Sequence, residues 1–108
     1  MDEIHVLENE YIQAVRRAYE AGYDGVELHG CHSYLLSQFM NKRVNKRTDE
    51  YNADGMKILE NILEGIRKVV PENFIVGIRL GAVEPPIEDG IAHAKWLEAL
   101  GIDFINVS

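Results

Sequence analysis

The sequence contains little cysteine and no long apolar run. Its single cysteine, Cys31, cannot form an internal disulfide, and this agrees with a reducing compartment. No stretch approaches the roughly 20 apolar residues that a transmembrane helix needs. The first residues, Met1, Asp2 and Glu3, lack the basic and apolar regions of a signal peptide. We therefore expect a cytoplasmic protein without a membrane segment.

Basic residues are also scarce, since 11 Lys and Arg face 18 Asp and Glu, for a formal net charge of −7. Nucleic acids and anionic membranes bind to clustered Lys and Arg, and the short basic run between Lys42 and Arg47 does not reverse the overall balance. We expect neither as a partner. What the chain does have is enough apolar sequence, 46% of 108 residues, to form one domain over residues 1–108.

Helical and strand patterns alternate along this domain. Apolar residues at three- and four-residue spacing predict helices, and short runs rich in β-branched residues predict strands. Glycines or a proline follow the helices and favour their ends there. The predicted helices cover residues 8–21, 34–40, 56–70 and 87–100, and the predicted strands cover residues 26–29, 74–80 and 102–107.

Strands that alternate with helices of this length imply right-handed crossovers and parallel pairing. A weak internal repeat supports this, because residues 22–28 and 101–107 share a glycine, a large apolar residue, an aspartate and an alternating strand. Such repetition is typical of a (β/α)8 barrel, which usually needs about 250 residues. The sequence therefore predicts an α/β fold that is a partial (β/α)8 TIM barrel, with about three βα units and parallel strands.

Polar residues with catalytic potential follow the first predicted strand. His29 and His32 are separated by two residues, and both can point into one mouth if the chain turns there. Together with Cys31 they include suitable metal ligands. Residues on a strand alternate in direction, however, so the three converge only if the backbone turns at once, and no fourth ligand is evident. Packing or simple surface exposure is the competing interpretation of the two histidines.

Two further residues have alternative interpretations. Tyr34 could serve as a phenolic acid or could simply begin an apolar helix with Leu35 and Leu36. Arg79 stands in an otherwise apolar strand, where a permanent charge is costly unless it is paired or lies at the strand end. An ion pair with Glu27 or Glu84 is the structural alternative to a binding role.

Three segments carry a resemblance to a known family. Residues 21–39 with 45–51, which contain the run His29-Gly30-Cys31-His32-Ser33-Tyr34, closely resemble the fourth strand and following loop of the Old Yellow Enzyme family barrel. Residues 76–80 and 103–108 resemble its fifth and sixth strands. The resemblance spans nearly the whole chain and about three eighths of the barrel. After Tyr51 the chain departs from the family's usual Gly-Gly-Ser and Glu-Asn-Arg, with different residues at 52–57.

The resemblance implies an FMN-dependent oxidoreductase that takes electrons from NADH or NADPH and reduces small molecules with an activated alkene. It implies that His29 and His32 bind the substrate oxygen, since donors fixed in advance stabilise the charge that develops there. Tyr34 corresponds to the family's proton donor and is a suitable acid at neutral pH. Arg79 corresponds to the arginine beside the flavin N1 and O2 atoms, and His29 also lies on the cofactor side.

The resemblance also implies what the 108 residues lack. The family binds the flavin phosphate mainly with the last two barrel strands, which lie beyond these three. We therefore expect little or no catalysis by the chain alone. The alternative is a noncatalytic barrel fragment that folds by self-association or by pairing its open sheet edges with another chain.

Overall fold

The computed structural model describes residues 2–32, 34–54, 56–81 and 87–108. Helices and strands alternate in it as the sequence predicts. None of its described helices is long and apolar enough to cross a membrane. The elements are α1 (Asp2–Glu20), β1 (Gly25–Gly30), α2 (Leu35–Met40), α3 (Lys57–Val69), β2 (Ile75–Leu80), α4 (Ile87–Ala99) and β3 (Phe104–Val107).

The three strands form one parallel sheet in the order β1-β2-β3. The register places His29 beside Arg79, and Arg79 beside Asn106. Because all three strands run the same way, their carboxyl ends meet at one edge of the sheet. The predicted parallel pairing is confirmed, and the polar residues at the strand ends are brought together.

One face of the sheet is covered by helices, and the core lies between that face and the helices. Leu28, Val76 and Ile78 on this face pack with the apolar side of α3, where Leu59 and Ile62 are fully buried. Alternate residues point the other way. On that second face the side chains of Glu27, His29, Phe104 and Asn106 are exposed, as expected for the inner face of an open barrel segment.

Helix α1 begins at Asp2 and not at residue 8, the predicted start. The extra turns are held by tertiary contacts that the local pattern does not contain. Ile4 is buried, and the buried Glu8 carboxylate accepts hydrogen bonds from the Tyr51 hydroxyl at 3.1 Å and the Asn61 amide at 2.8 Å. Buried polar groups need such partners, and these lie 43 and 53 residues away along the chain.

Strand β3 begins at Phe104, two residues later than predicted. Asp103 explains the shift, because its amide donates to the Val76 carbonyl at 2.8 Å and its carboxylate accepts from the Val76 amide at 2.7 Å. Asp103 thus bonds Val76 of β2 through both its backbone and its side chain, just before the β2–β3 ladder begins. Gly101, just before it, has a φ of +89°, and Gly22 before β1 has a φ of +95°. The two halves of the repeat therefore use the same left-handed glycine after a helix.

The polar segment between α2 and α3 is ordered by its own side chains. The Asn45 amide donates to the carbonyls of Phe39 and Tyr51, at 2.7 and 2.9 Å, and Arg47 pairs with Asp49. These contacts hold the segment together locally. Where the chain departs from the family pattern, the buried Met56 adopts a left-handed φ of +50° immediately before α3.

Candidate functional site

The candidate site lies at the carboxyl edge of the sheet, on the face without helices. His29 projects from the end of β1, and the register places it next to Arg79 on β2. His32 follows the strand and has a φ of +59°, in the left-handed region that non-glycine residues seldom occupy. This turn brings the ring centroids of His29 and His32 to within 5.7 Å of each other. The predicted convergence of the two imidazoles is present in the structure.

Tyr34 lies against the ring of His29. It is the residue that precedes α2, with an extended backbone, and its carbonyl accepts a hydrogen bond from Gln38 at 2.9 Å. Its ring centroid is 5.2 Å from that of His29, and 63% of the residue is exposed. The phenol is thus not part of the apolar core that Leu36 and Met40 enter. Ser33, between the two, lies outside the described residues.

Arg79 is half-buried in the middle of the site. Its Nε atom is buried and has no hydrogen-bond partner among the described residues. The predicted alternative of an ion pair with Glu27 is not found, because the Glu27 carboxylate instead accepts from the Asn106 amide, with both oxygens at 3.3 Å. Glu84, the other alternative partner, lies outside the described residues. A buried donor without an acceptor is costly, so Arg79 is suited to a bound acceptor.

Cys31 completes a cluster with the two histidines. Its side chain is fully buried, and Sγ lies 3.9 Å from Nδ1 of His29. The potential ligand atoms of His29, Cys31 and His32 all lie within 4.8 Å of one another. From the sequence, the three side chains converge only if the backbone turns directly after the strand. The left-handed backbone at His32 is that turn.

Two polar residues at the end of β3 were not identified from the sequence. Nε2 of His32 lies 2.9 Å from Oγ of Ser108, and Asn106 bonds Glu27 across the intervening strand. The available signal was their position, since polar residues at the carboxyl end of a barrel strand are typical of binding sites. Their contacts span more than 70 residues and depend on the strand order.

An open parallel sheet that gathers imidazoles, a phenol and a guanidinium at its carboxyl edge is the arrangement of a barrel enzyme's active-site segment. Comparison with known proteins gives the family. The model of the NADH:flavin oxidoreductase / NADH oxidase family matches residues 1–108, and the chain belongs to that family. The predicted relationship to Old Yellow Enzyme and the predicted partial-barrel fold are both confirmed.

Individual relatives agree. The chain is 34% identical to the NADH-dependent flavin oxidoreductase iliE of Hypocrea jecorina, covering 98% of this chain and 28% of that protein. It is 40% identical to 12-oxophytodienoate reductase 2 of Arabidopsis thaliana, covering 98% and 29%. The structure of the old yellow enzyme homologue from Zymomonas mobilis superposes with a TM-score of 0.85 at 30% identity, covering 99% and 33%. The chain thus spans about a third or less of each.

Proposed function

We propose that this chain forms the substrate-binding and proton-donating part of an FMN-dependent NAD(P)H oxidoreductase that reduces activated alkenes. The observation that carries the proposal is the convergence of His29, His32 and Tyr34 at one strand end, in a chain that belongs to the flavin oxidoreductase family. Related proteins are named NADH-dependent flavin oxidoreductases and a 12-oxophytodienoate reductase, which agrees with this chemistry.

Arg79 supports a flavin as the cofactor. The family implies FMN, whose ring carries acceptor atoms, and the buried Nε of Arg79 is a donor that finds no acceptor in the described part of the chain. Arg79 and His29 are neighbours across β1 and β2, so both would hold the ring from the same side. A permanent guanidinium there favours an anionic ring over a neutral one. When bound, the flavin would supply the hydride for the substrate's β-carbon.

The chain's own residues would do the rest. His29 and His32 would donate hydrogen bonds to the substrate's carbonyl or nitro oxygen, and such donors stabilise negative charge as it accumulates there. Tyr34 would give its phenolic proton to the α-carbon. Its exposure on the open face allows this approach, whereas a packed phenol could not reach a substrate.

The chain alone would have little activity under this proposal, because three strands leave the flavin exposed to water. The test therefore uses a chimera in which these residues replace the matching segment of the Zymomonas mobilis homologue, which aligns with 99% of this chain. The chimera should bind FMN, accept electrons from NAD(P)H and reduce an activated alkene. The isolated chain should retain no FMN once unbound flavin is removed by gel filtration.

Within the chimera, Tyr34→Phe separates the two half-reactions. Loss of a general acid should slow alkene reduction by about 10²-fold or more, while flavin reduction by NADH stays unchanged. Tyr23→Phe is the matched control. Like Tyr34, Tyr23 is a surface phenol, 68% exposed, but it lies just before the amino end of β1, away from the site at the carboxyl end. Alkene reduction at the parent rate in Tyr34→Phe would refute the role of Tyr34.

The unpaired sheet edges favour a second candidate, in which the chain acts as a noncatalytic barrel segment that pairs with another copy. In the described residues β1 and β3 each bond only to β2, so each strand leaves one edge open. Open edges with apolar side chains promote pairing, and Phe104 and Val107 on β3 are exposed. Sedimentation of the isolated chain at several concentrations tests this candidate.

A further inference from the structure

We propose that His29, Cys31 and His32 form a binding site for a zinc-type divalent cation, with two imidazole nitrogens, one thiolate and one open coordination position. The proposal stands on the convergence of the three side chains and does not depend on flavin binding or on alkene reduction. It concerns the same imidazoles, so an ion here would compete with a substrate oxygen.

The distances suit a four-coordinate ion. With Zn–N bonds of about 2.0 Å and Zn–S bonds of about 2.3 Å, tetrahedral ligand atoms lie roughly 3.3 to 3.6 Å apart. The separation of Cys31 Sγ and His29 Nδ1, 3.9 Å, is already close to this. All three ligand atoms lie within 4.8 Å of one another. Because both histidines are exposed, small rotations about their side-chain bonds can close the remaining gap.

The backbone holds the cluster in this form. His29 and Cys31 are two residues apart and share one side of the extended chain, whereas His32 would fall on the other side if the strand continued. The left-handed conformation of His32, with a φ of +59°, turns its ring back toward them. Cys31 is fully buried and both histidines are exposed, so an ion arriving from solvent would reach the imidazoles before the sulfur.

The ligand set selects the ion. Thiolate and imidazole favour zinc and its analogue cobalt over magnesium or calcium, which prefer oxygen. Three protein ligands leave the fourth position for water or an anion, as in catalytic zinc sites. The neighbouring Arg79 adds a positive charge that opposes cation binding, and the negative thiolate offsets it.

Ser108 would support the site through a hydrogen bond to His32. Its Oγ lies 2.9 Å from Nε2 of His32 and can hydrogen-bond that ring nitrogen. Metal-bound histidines commonly use their second nitrogen in this way, and loss of such a partner typically weakens metal binding about 10- to 100-fold.

Cobalt titration of the flavin-free protein tests the site. Co²⁺ should bind at one equivalent, with a thiolate-to-cobalt charge-transfer band and the intense visible bands of a four-coordinate ion. Cys31→Ser should abolish the charge-transfer band. His29→Gln and His32→Asn should each weaken binding at least about tenfold, and Ser108→Ala about tenfold. Asparagine is chosen at position 32 because it tolerates the left-handed backbone.

His5→Asn is the matched control, since His5 is an exposed histidine on α1, away from the cluster, and should leave the titration unchanged. Circular dichroism identifies any variant that fails to fold. The ligand variants that do fold then show whether the three side chains bind cobalt. The proposal is overturned if the charge-transfer band persists in Cys31→Ser. It is equally overturned if folded His29→Gln and His32→Asn bind cobalt like the parent, or if the parent shows no such bands in excess Co²⁺.

Discussion

His93 is a buried ionisable residue outside the candidate site. It lies on α4 beside a small cavity that Ser37, Met40 and Gly90 help to line. Burial lowers the pKa of His93 below its ordinary value of 6.5, the nearby Asp89 opposes that shift, and the Lys42 ammonium adds to it. The folded protein therefore holds this imidazole neutral where the unfolded chain would protonate it.

This pKa shift predicts acid destabilisation. As the pH falls below about 6.5, the unfolded state binds the proton first, so the free energy of unfolding decreases until the folded-state pKa is passed. The loss from one such group is at most about 1.4 kcal/mol per pH unit. His93→Gln, which cannot titrate, should flatten the decrease measured by urea denaturation between pH 7 and pH 5. The exposed His5→Gln serves as control, and parallel pH profiles for His93→Gln and parent would contradict the prediction.

At the scale of single residues, the sequence was informative where a side chain conflicts with its surroundings. Arg79 in an apolar strand is such a case, and its Nε is buried without a hydrogen-bond partner within residues 2–32, 34–54, 56–81 and 87–108. Tyr34 is the opposite case, because the apolar pattern after it made core packing the simpler interpretation. Only the tertiary structure shows that Leu36 enters the core while Tyr34 stays on the surface.

At the scale of elements, the start of β1 depends on a close approach between two strands. Gly25 pairs with Ile75, and a Cβ atom at Gly25 would lie 2.5 Å from the Ile75 carbonyl oxygen and 2.7 Å from its Cβ. These atoms belong to the backbone or are fixed to it, so a side-chain rotation cannot relieve the overlap. The strands themselves must move apart.

Gly25→Ala should therefore destabilise the protein by about 1 to 3 kcal/mol, the usual cost of overpacking. Gly90→Ala is the matched control, because a Cβ there meets nothing within 4 Å and alanine favours the helix by up to about 1 kcal/mol. Thermal unfolding of both variants checks the pair. Equal stability changes of the same sign would contradict the structural distinction between the two glycines.

The types of the elements and their order could be predicted from periodicity. Some of their boundaries could not. The second long helix, predicted over residues 56–70, is Lys57–Val69, because its apolar face and the following Pro71 are local features. The first helix began six residues earlier than predicted. Its added turns bury Ile4, and they precede Glu8, which bonds Tyr51 and Asn61; no local pattern contains those partners.

At the scale of the whole molecule, the sheet has two open edges and one face without helices within the described residues. If the second candidate function is correct, sedimentation should show a mass above that of one chain that rises with concentration. Val107→Lys, which places a charge on edge strand β3, should reduce this association. Val6→Lys is the control, since Val6 is also exposed but lies on α1. A concentration-independent monomer with a cooperative melt would exclude obligatory edge pairing.

The sequence by itself determined the alternation of elements, the parallel sheet and the family, because these follow from local periodicity and from a long run of residues in a fixed order. The tertiary structure alone decided which side chains meet. His32 lies close to His29 and Cys31 because His32 itself adopts a left-handed backbone. Ser108 contacts His32 because the strand order β1-β2-β3 places the end of β3 in the same sheet as the end of β1. Contacts between residues far apart in the chain depend on strand order and on single backbone angles, and neither is encoded in a local pattern.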